Sequence, residues 1–221
     1  MKLDGLELEW LGHAAFKIKT PRVIYIDPYQ LNNDEKADIV LITHSHYDHC
    51  SLNDIEKIVE TGTTIVCTPD CQSTIARITK KINLMLVEPG KEISLDNLKI
   101  RAVPSYNQTK KFHPKSERYV GFILQIKNIV IYHAGDTDLI KEMQELTGYG
   151  KKGNIFIALL PVGGTYTMNA EEACKAASIL KPSITVPMHY GSIVGSTNDA
   201  KKFSELCKEQ GIKAEILEKK A

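Results

Sequence analysis

The sequence predicts an α/β protein in which sheets pack on each other with helices outside, a four-layer αββα sandwich. Three observations carry that expectation. The first third alternates in strand fashion, the middle holds two hairpin patterns, and the last third switches to strand-helix alternation.

Taken in order, Leu6, Leu8 and Trp10 point one way. Phe16 and Ile18, then Val23-Ile24-Tyr25-Ile26, continue the pattern up to Asp27-Pro28, as antiparallel strands joined by tight turns. Residues 38–43 form an apolar run of buried-strand character. Ser51 followed by Asp54 resembles a capping box, which predicts a helix over 51–59. Residues 63–67 read as the next strand, and Thr68-Pro69 opens another helix with proline at its first position. Residues 92–95 and 98–103 flank an Asp96-Asn97 turn, and 122–126 and 129–132 flank Lys127-Asn128, giving two hairpins. Residues 154–160 form a buried strand, and Asn169 with Glu172 caps a helix to Leu180. Another strand is expected over 183–188, a helix capped by Asn198 and ending at Gly211, and a closing strand over 213–217. No linker or short repeat interrupts the pattern, so one domain over 1–221 is expected.

With 221 residues, 43% hydrophobic and 25% charged, the chain can bury a full core. A net charge of +1 supplies no electrostatic case for nucleic acid or an anionic membrane. The first residues lack the apolar core of a signal peptide and no stretch is long enough to span a bilayer, so a cytoplasmic protein is expected. The five cysteines, Cys50, Cys67, Cys71, Cys174 and Cys207, are an odd count that suits a reducing compartment. They read as buried free thiols, with Cys50 a small apolar filler beside the most informative stretch of the chain.

That stretch is His44-Ser45-His46-Tyr47-Asp48-His49, which places three of the seven histidines and one carboxylate directly after a buried strand. It offers more nitrogen and oxygen donors than one zinc ion needs, so a two-metal site is the expectation. Further donors stand where strands end, the usual place for sites in α/β proteins. They are Asp136 after the tight Ala134-Gly135 turn, His189 in Pro187-Met188-His189-Tyr190, Asp27, and His13. Asp136 could bridge two cations with its two oxygens.

Together these segments resemble the metallo-β-lactamase superfamily of metal-dependent hydrolases across nearly the full chain. Residues 12–16, 132–137, 161–168 and 187–190 are similar to the branch of ascorbate-6-phosphate lactonase-like and uncharacterised metal-dependent hydrolases. The resemblance implies two divalent metal ions, zinc first, with manganese or iron as alternatives. It implies that His44 and His46 bind the first metal, that Asp48, His49 and His189 bind the second, and that Asp136 bridges both. Where the family places a third histidine for the first metal, this chain has Asn107, and His113 six residues on is the candidate replacement, a substrate contact being its alternative role. Asp27 is suited to accept a ring N–H from a metal-bound imidazole, and His13 and His133 are candidates for similar support.

Two cations about 3.5–4 Å apart would bring a shared water's pKa towards neutrality. Asp48 would orient the nucleophile or shuttle its proton, and His133 or Tyr166 would stabilise the oxyanion. The expected substrate is a small ester, lactone or phosphate-containing molecule, anionic ones included. The basic residues Lys110, Lys111, Lys115 and Arg118 read first as a solvated face and second as an anion receptor. Gly163-Gly164-Thr165 reads either as an anion-binding turn or as a plain tight one. A nuclease or phosphodiesterase of the same superfamily, di-iron redox chemistry and a non-catalytic metal-binding module are the alternatives. His46, standing where the redox branch has a carboxylate, favours hydrolysis. A homo-oligomer is compatible with all of these.

Overall fold

The computed structural model describes residues 1–32, 35–151 and 153–220. The chain divides into two compact units, Met1–Val87 with Leu217–Ala221, and Glu88–Ile216. Each contains one sheet.

The first unit holds β1 (Lys2–Leu3), β2 (Leu6–Gly12), β3 (Ala15–Lys19), β4 (Val23–Ile26), β5 (Ile39–Ile42), β6 (Thr64–Cys67) and β7 (Asn83–Leu86), in that spatial order. Short turns join β1 to β4 as antiparallel neighbours, whereas β4 to β7 run parallel. Parallel neighbours need crossovers, and those from β5 to β6 and from β6 to β7 contain α1 (Leu52–Ile58) and α2 (Gln72–Ile75) respectively. All four residues of β5 are buried, as expected of a parallel strand covered on both faces. The helix expected at Pro69 starts as a 3₁₀ turn, Pro69–Cys71, before α2. Sequence reading missed β1 and β7. The former is two residues long, and in β7 both Leu84 and Leu86 are exposed, so neither gives a buried alternation.

Ser51 caps α1 and accepts the Asp54 N–H. Asp54 in turn accepts from Gln30 N, Leu31 N, Ser51 Oγ and Lys57 Nζ at 2.7–3.0 Å, tying the segment after β4 to the helix. Burial works to raise the Asp54 carboxyl, but the bonds from Lys57, Ser51 and the two backbone amides outweigh it and hold it below its ordinary 3.8. Beneath the helix, Ile55, Ile58 and Val59 pack with Val40, Ile42 and Ile65, and Cys50, Cys67 and Cys71 fill the same core.

The second unit holds β8 (Glu92–Leu95), β9 (Leu98–Pro104), β10 (Val120–Ile126), β11 (Ile129–His133), β12 (Ile155–Pro161) and β13 (Ile184–Met188), again in spatial sequence. The two hairpins make β8 to β11 antiparallel, and β11, β12 and β13 are parallel. Helix α3 (Ala170–Leu180) packs on β12, α4 (Thr197–Glu209) packs on β13, and the two helices pack together. The predicted Asn169/Glu172 capping box is present. The cap of α4 is Ser196, not Asn198: Ser196 N and Oγ both donate to Asp199 Oδ2, and Asn198 lies inside the first turn. No strand forms over 213–217, where Ala214 makes one bridge to Thr185. Only Leu217 is buried there, so the segment has no apolar face to sustain a ladder.

The expected mixed α/β class, with two sheets and helices, is what the chain adopts. Among the described residues, no helix is long and apolar enough to cross a membrane.

Candidate metal centre

In the first unit the donors leave the end of β5. Asp27, just past β4, has a fully buried carboxylate that accepts from Thr43 N at 2.8 Å, Thr43 Oγ1 at 2.7 Å and His49 Nδ1 at 2.7 Å. Thr43 has one hydroxyl hydrogen, and that bond commits it to Asp27. Towards His44 Nδ1, 3.0 Å away, Thr43 Oγ1 can then only accept. Both His44 and His49 therefore carry their proton on Nδ1 and keep the Nε2 lone pair, the arrangement a metal-binding imidazole requires. Asp27 thus has the place that sequence order suggested.

The loop itself is drawn tight by His49 N and Cys50 N, which both donate to His46 O. Asp70 Oδ2 accepts the Ser45 N–H at 2.9 Å, a support that sequence reading did not single out. His44 Nε2 lies 3.0 Å from His46 Nδ1, and His49 Nε2 lies 3.7 Å from Asp48 Oδ2. His13, in the β2–β3 turn, brings Nε2 to 2.9 Å from Asp48 Oδ2 and packs edge-on against His49 and Tyr29. It therefore orients the carboxylate expected to handle the proton.

In the second unit, Asp136 follows Gly135, whose φ of 64° and N–H contact to His133 Nδ1 make the turn that delivers it. Asp136 Oδ2 lies 3.3 Å from His113 Nε2 and 3.1 Å from His189 Nε2, and all three residues are buried. His113 is thus brought to the carboxylate, whereas Asn107 points its Nδ2 at the carbonyls of Phe112 and Tyr166. His113 and His189 have φ of 60° and 58°, in the left-handed region that non-glycine residues seldom enter. Gly163 lies so close to His189 that a Cβ there would sit 2.4 Å from the His189 carbonyl oxygen.

The spacings separate two kinds of contact. Two nitrogens held at about 2.0–2.1 Å from one tetrahedral zinc lie roughly 3.3 Å apart. Asp27–His49 at 2.7 Å and His13–Asp48 at 2.9 Å are ordinary charge-assisted hydrogen bonds. His189–Asp136 at 3.1 Å, His113–Asp136 at 3.3 Å and His49–Asp48 at 3.7 Å straddle the shared-ion spacing, and His44–His46 at 3.0 Å is compatible with either kind. The donor sets of both units fit divalent cations.

Other expectations sort out by their contacts. Tyr166 is half-buried and stacks edge-on with Phe112 at 5.2 Å. His133 is fully buried, and its Nδ1 accepts the Gly135 N–H at 3.3 Å, which braces the Asp136 turn. In the basic loop Lys111, Lys115 and Arg118 are exposed, which fits the solvated-face reading, whereas Lys110 is partly covered and pairs with the buried Asp138. The N–H groups of Gly164 and Thr165 go to Met168 O and Gly163 O, so those two amides build a tight turn instead of an anion cradle. All five cysteines are free and buried, as expected.

This fold and donor set define a class, and residues 7–189 match the family model of the β-lactamase superfamily domain. That match runs to the last of the expected donors. The chain belongs to this superfamily, and within it to the UPF0173 metal-dependent hydrolases. It is 34% identical over 220 residues to a UPF0173 metal-dependent hydrolase of Thermococcus onnurineus, covering 96% of this chain and 95% of that one. A Pyrococcus horikoshii relative of the same description is 33% identical over 222 residues, with the same coverage. Among solved structures, a Parabacteroides distasonis protein assigned to the metal-dependent hydrolases superposes with a TM-score of 0.82 at 31% identity, covering 96% of this chain and 94% of that one. Igni18, a metallo hydrolase from Ignicoccus hospitalis, gives 0.78 at 27% identity over 98% and 96% of the two chains.

Proposed function

We propose that the protein hydrolyses a small ester, lactone or phosphate-containing substrate with the help of two divalent cations, zinc first. In this reading His44, His46, Asp48 and His49 in the first unit and His113, Asp136 and His189 in the second would hold the ions, with Asp136 as the shared carboxylate. The observation that carries it is Asp136 Oδ2 flanked by His113 Nε2 at 3.3 Å and His189 Nε2 at 3.1 Å, the surroundings of a shared carboxylate ligand. When bound, such ions would acidify water and polarise the electrophile.

The chain's own residues then orient and move protons. Asp48, steadied by His13 at Oδ2, takes the proton of the attacking water and returns it to the leaving group. Tyr166, whose loop is tied to Asn107, donates to the oxygen on which negative charge develops. Asp27 and Thr43 keep His44 and His49 in the tautomer that presents Nε2. The charge-paired lysines and arginine of the 110–118 loop favour a small molecule over a nucleic acid.

The test is a panel of lactones, carboxylic esters and phosphodiesters offered to protein loaded with zinc, manganese or iron, with metal content measured in parallel. Turnover on a small ester or lactone that is lost with chelation and regained with metal is expected. Turnover indifferent to complete metal removal would sink the reading.

A further inference from the structure

We propose that Asn107 is the positioning residue for His113, holding the 107–113 loop so that the His113 imidazole presents Nε2 to Asp136. The proposal rests on the reading of His113 as a metal ligand. The Asn107 carboxamide donates to Phe112 O at 2.8 Å and to Tyr166 O at 2.7 Å, which uses both Nδ2 hydrogens. Its backbone N–H donates to His113 O at 2.7 Å. One residue therefore closes the loop on both sides of the Phe112–His113 peptide and fastens it to the Tyr166 loop.

Three further observations point to the ring of His113 as the object of this arrangement. Asn107 Nδ2 lies 3.3 Å from His113 Nδ1, at the opposite side of the ring from the Nε2 that faces Asp136. His113 is held at φ 60°, a conformation that a histidine keeps only when its surroundings impose it. Asn107 is itself buried, with Oδ1 lacking a hydrogen-bond partner among the described residues. A buried amide whose oxygen is unsatisfied is a poor choice for stability alone, so its two donors are what the position requires. A neutral histidine at 107 has a single N–H and could not bond both carbonyls.

The experiment is a double-mutant cycle read by zinc affinity, with chelator competition on the full-length protein. The four proteins are the parent, Asn107→Leu, His113→Ala and the double variant. Outer partners of metal ligands are typically worth about 10–100-fold in affinity, and a loss of that size at one zinc equivalent is expected for Asn107→Leu. His113→Ala should weaken the same equivalent, and adding Asn107→Leu to it should cost nothing more. Asn107→Ser, which keeps one donor, should fall between and carries the test if Asn107→Leu does not fold. An Asn107 effect of equal size with and without His113 would overturn the proposal, because a residue that only stabilises the fold acts in both backgrounds. So would full zinc affinity in Asn107→Leu alongside a weakened His113→Ala. Two intact equivalents in His113→Ala would instead remove the ligand reading on which the proposal rests.

Discussion

At the scale of single residues, the site is a set of donors whose protons have been assigned by their neighbours. Asp27 accepts three hydrogen bonds from a fully buried position, so Asp27→Asn puts an amide where only acceptors fit and disturbs the tautomers of His44 and His49. Zinc affinity should drop about 10–100-fold, measured by chelator competition, and an unchanged affinity would deny Asp27 its orienting role. Asp136→Ala removes the oxygen that both His113 and His189 face and should lose metal and turnover together, by elemental analysis and activity assay. Retention of both metals would refute the shared-ligand assignment. The donors were legible because the H-x-H-x-D-H spacing and the strand-end aspartate and histidine are local features of the sequence. Asp70 and the bracing role of His133 were not, because each depends on a hydrogen bond that only the folded loops create.

Among the elements, the helices that leave the site are fixed at their starts by side chains, and each cap has a measurable worth. Asn169→Ala, which removes the acceptor for Glu172 N, should cost about 1 kcal/mol in urea-induced unfolding. Asp54 gives a pH-dependent version of the same effect. Its carboxyl is held below 3.8 in the fold, so the unfolded chain binds the proton more readily. The stabilisation is present above that value and is lost as pH falls through the lower, folded one. Urea midpoints followed down through about pH 4 should fall less steeply in Asp54→Asn than in the parent, and parallel curves would mean Asp54 contributes nothing. Elements with a buried apolar face were readable in advance, as β5 and α3 were. The edge strand β7, with its exposed leucines, and the segment 213–217, with one buried residue, lacked that signal. The α4 start was displaced because Ser196 and Asn198 are both good caps, and only the Asp199 contact decides between them.

At the scale of the whole molecule, the chain divides into two compact units at Val87/Glu88. The superfamily match from 7 to 189 nonetheless runs through the donors of both units. Metal binding should therefore register in global stability. At free metal near a hundred times the dissociation constant, binding even one ion adds about 2.7 kcal/mol. For a chain of this length that is a rise of roughly 5–10 °C in the thermal midpoint, checked by scanning calorimetry with and without chelator. Equal midpoints would mean that the folded chain holds no metal. The close approach of Gly163 to the His189 carbonyl bears on any attempt to retarget the enzyme. The 163–169 segment is an attractive stretch to randomise, since it carries Tyr166 and its turn is short. A library that includes position 163 would spend most of its members on chains that displace His189, whereas one confined to Thr165, exposed in the same turn, leaves both His189 and Tyr166 in place.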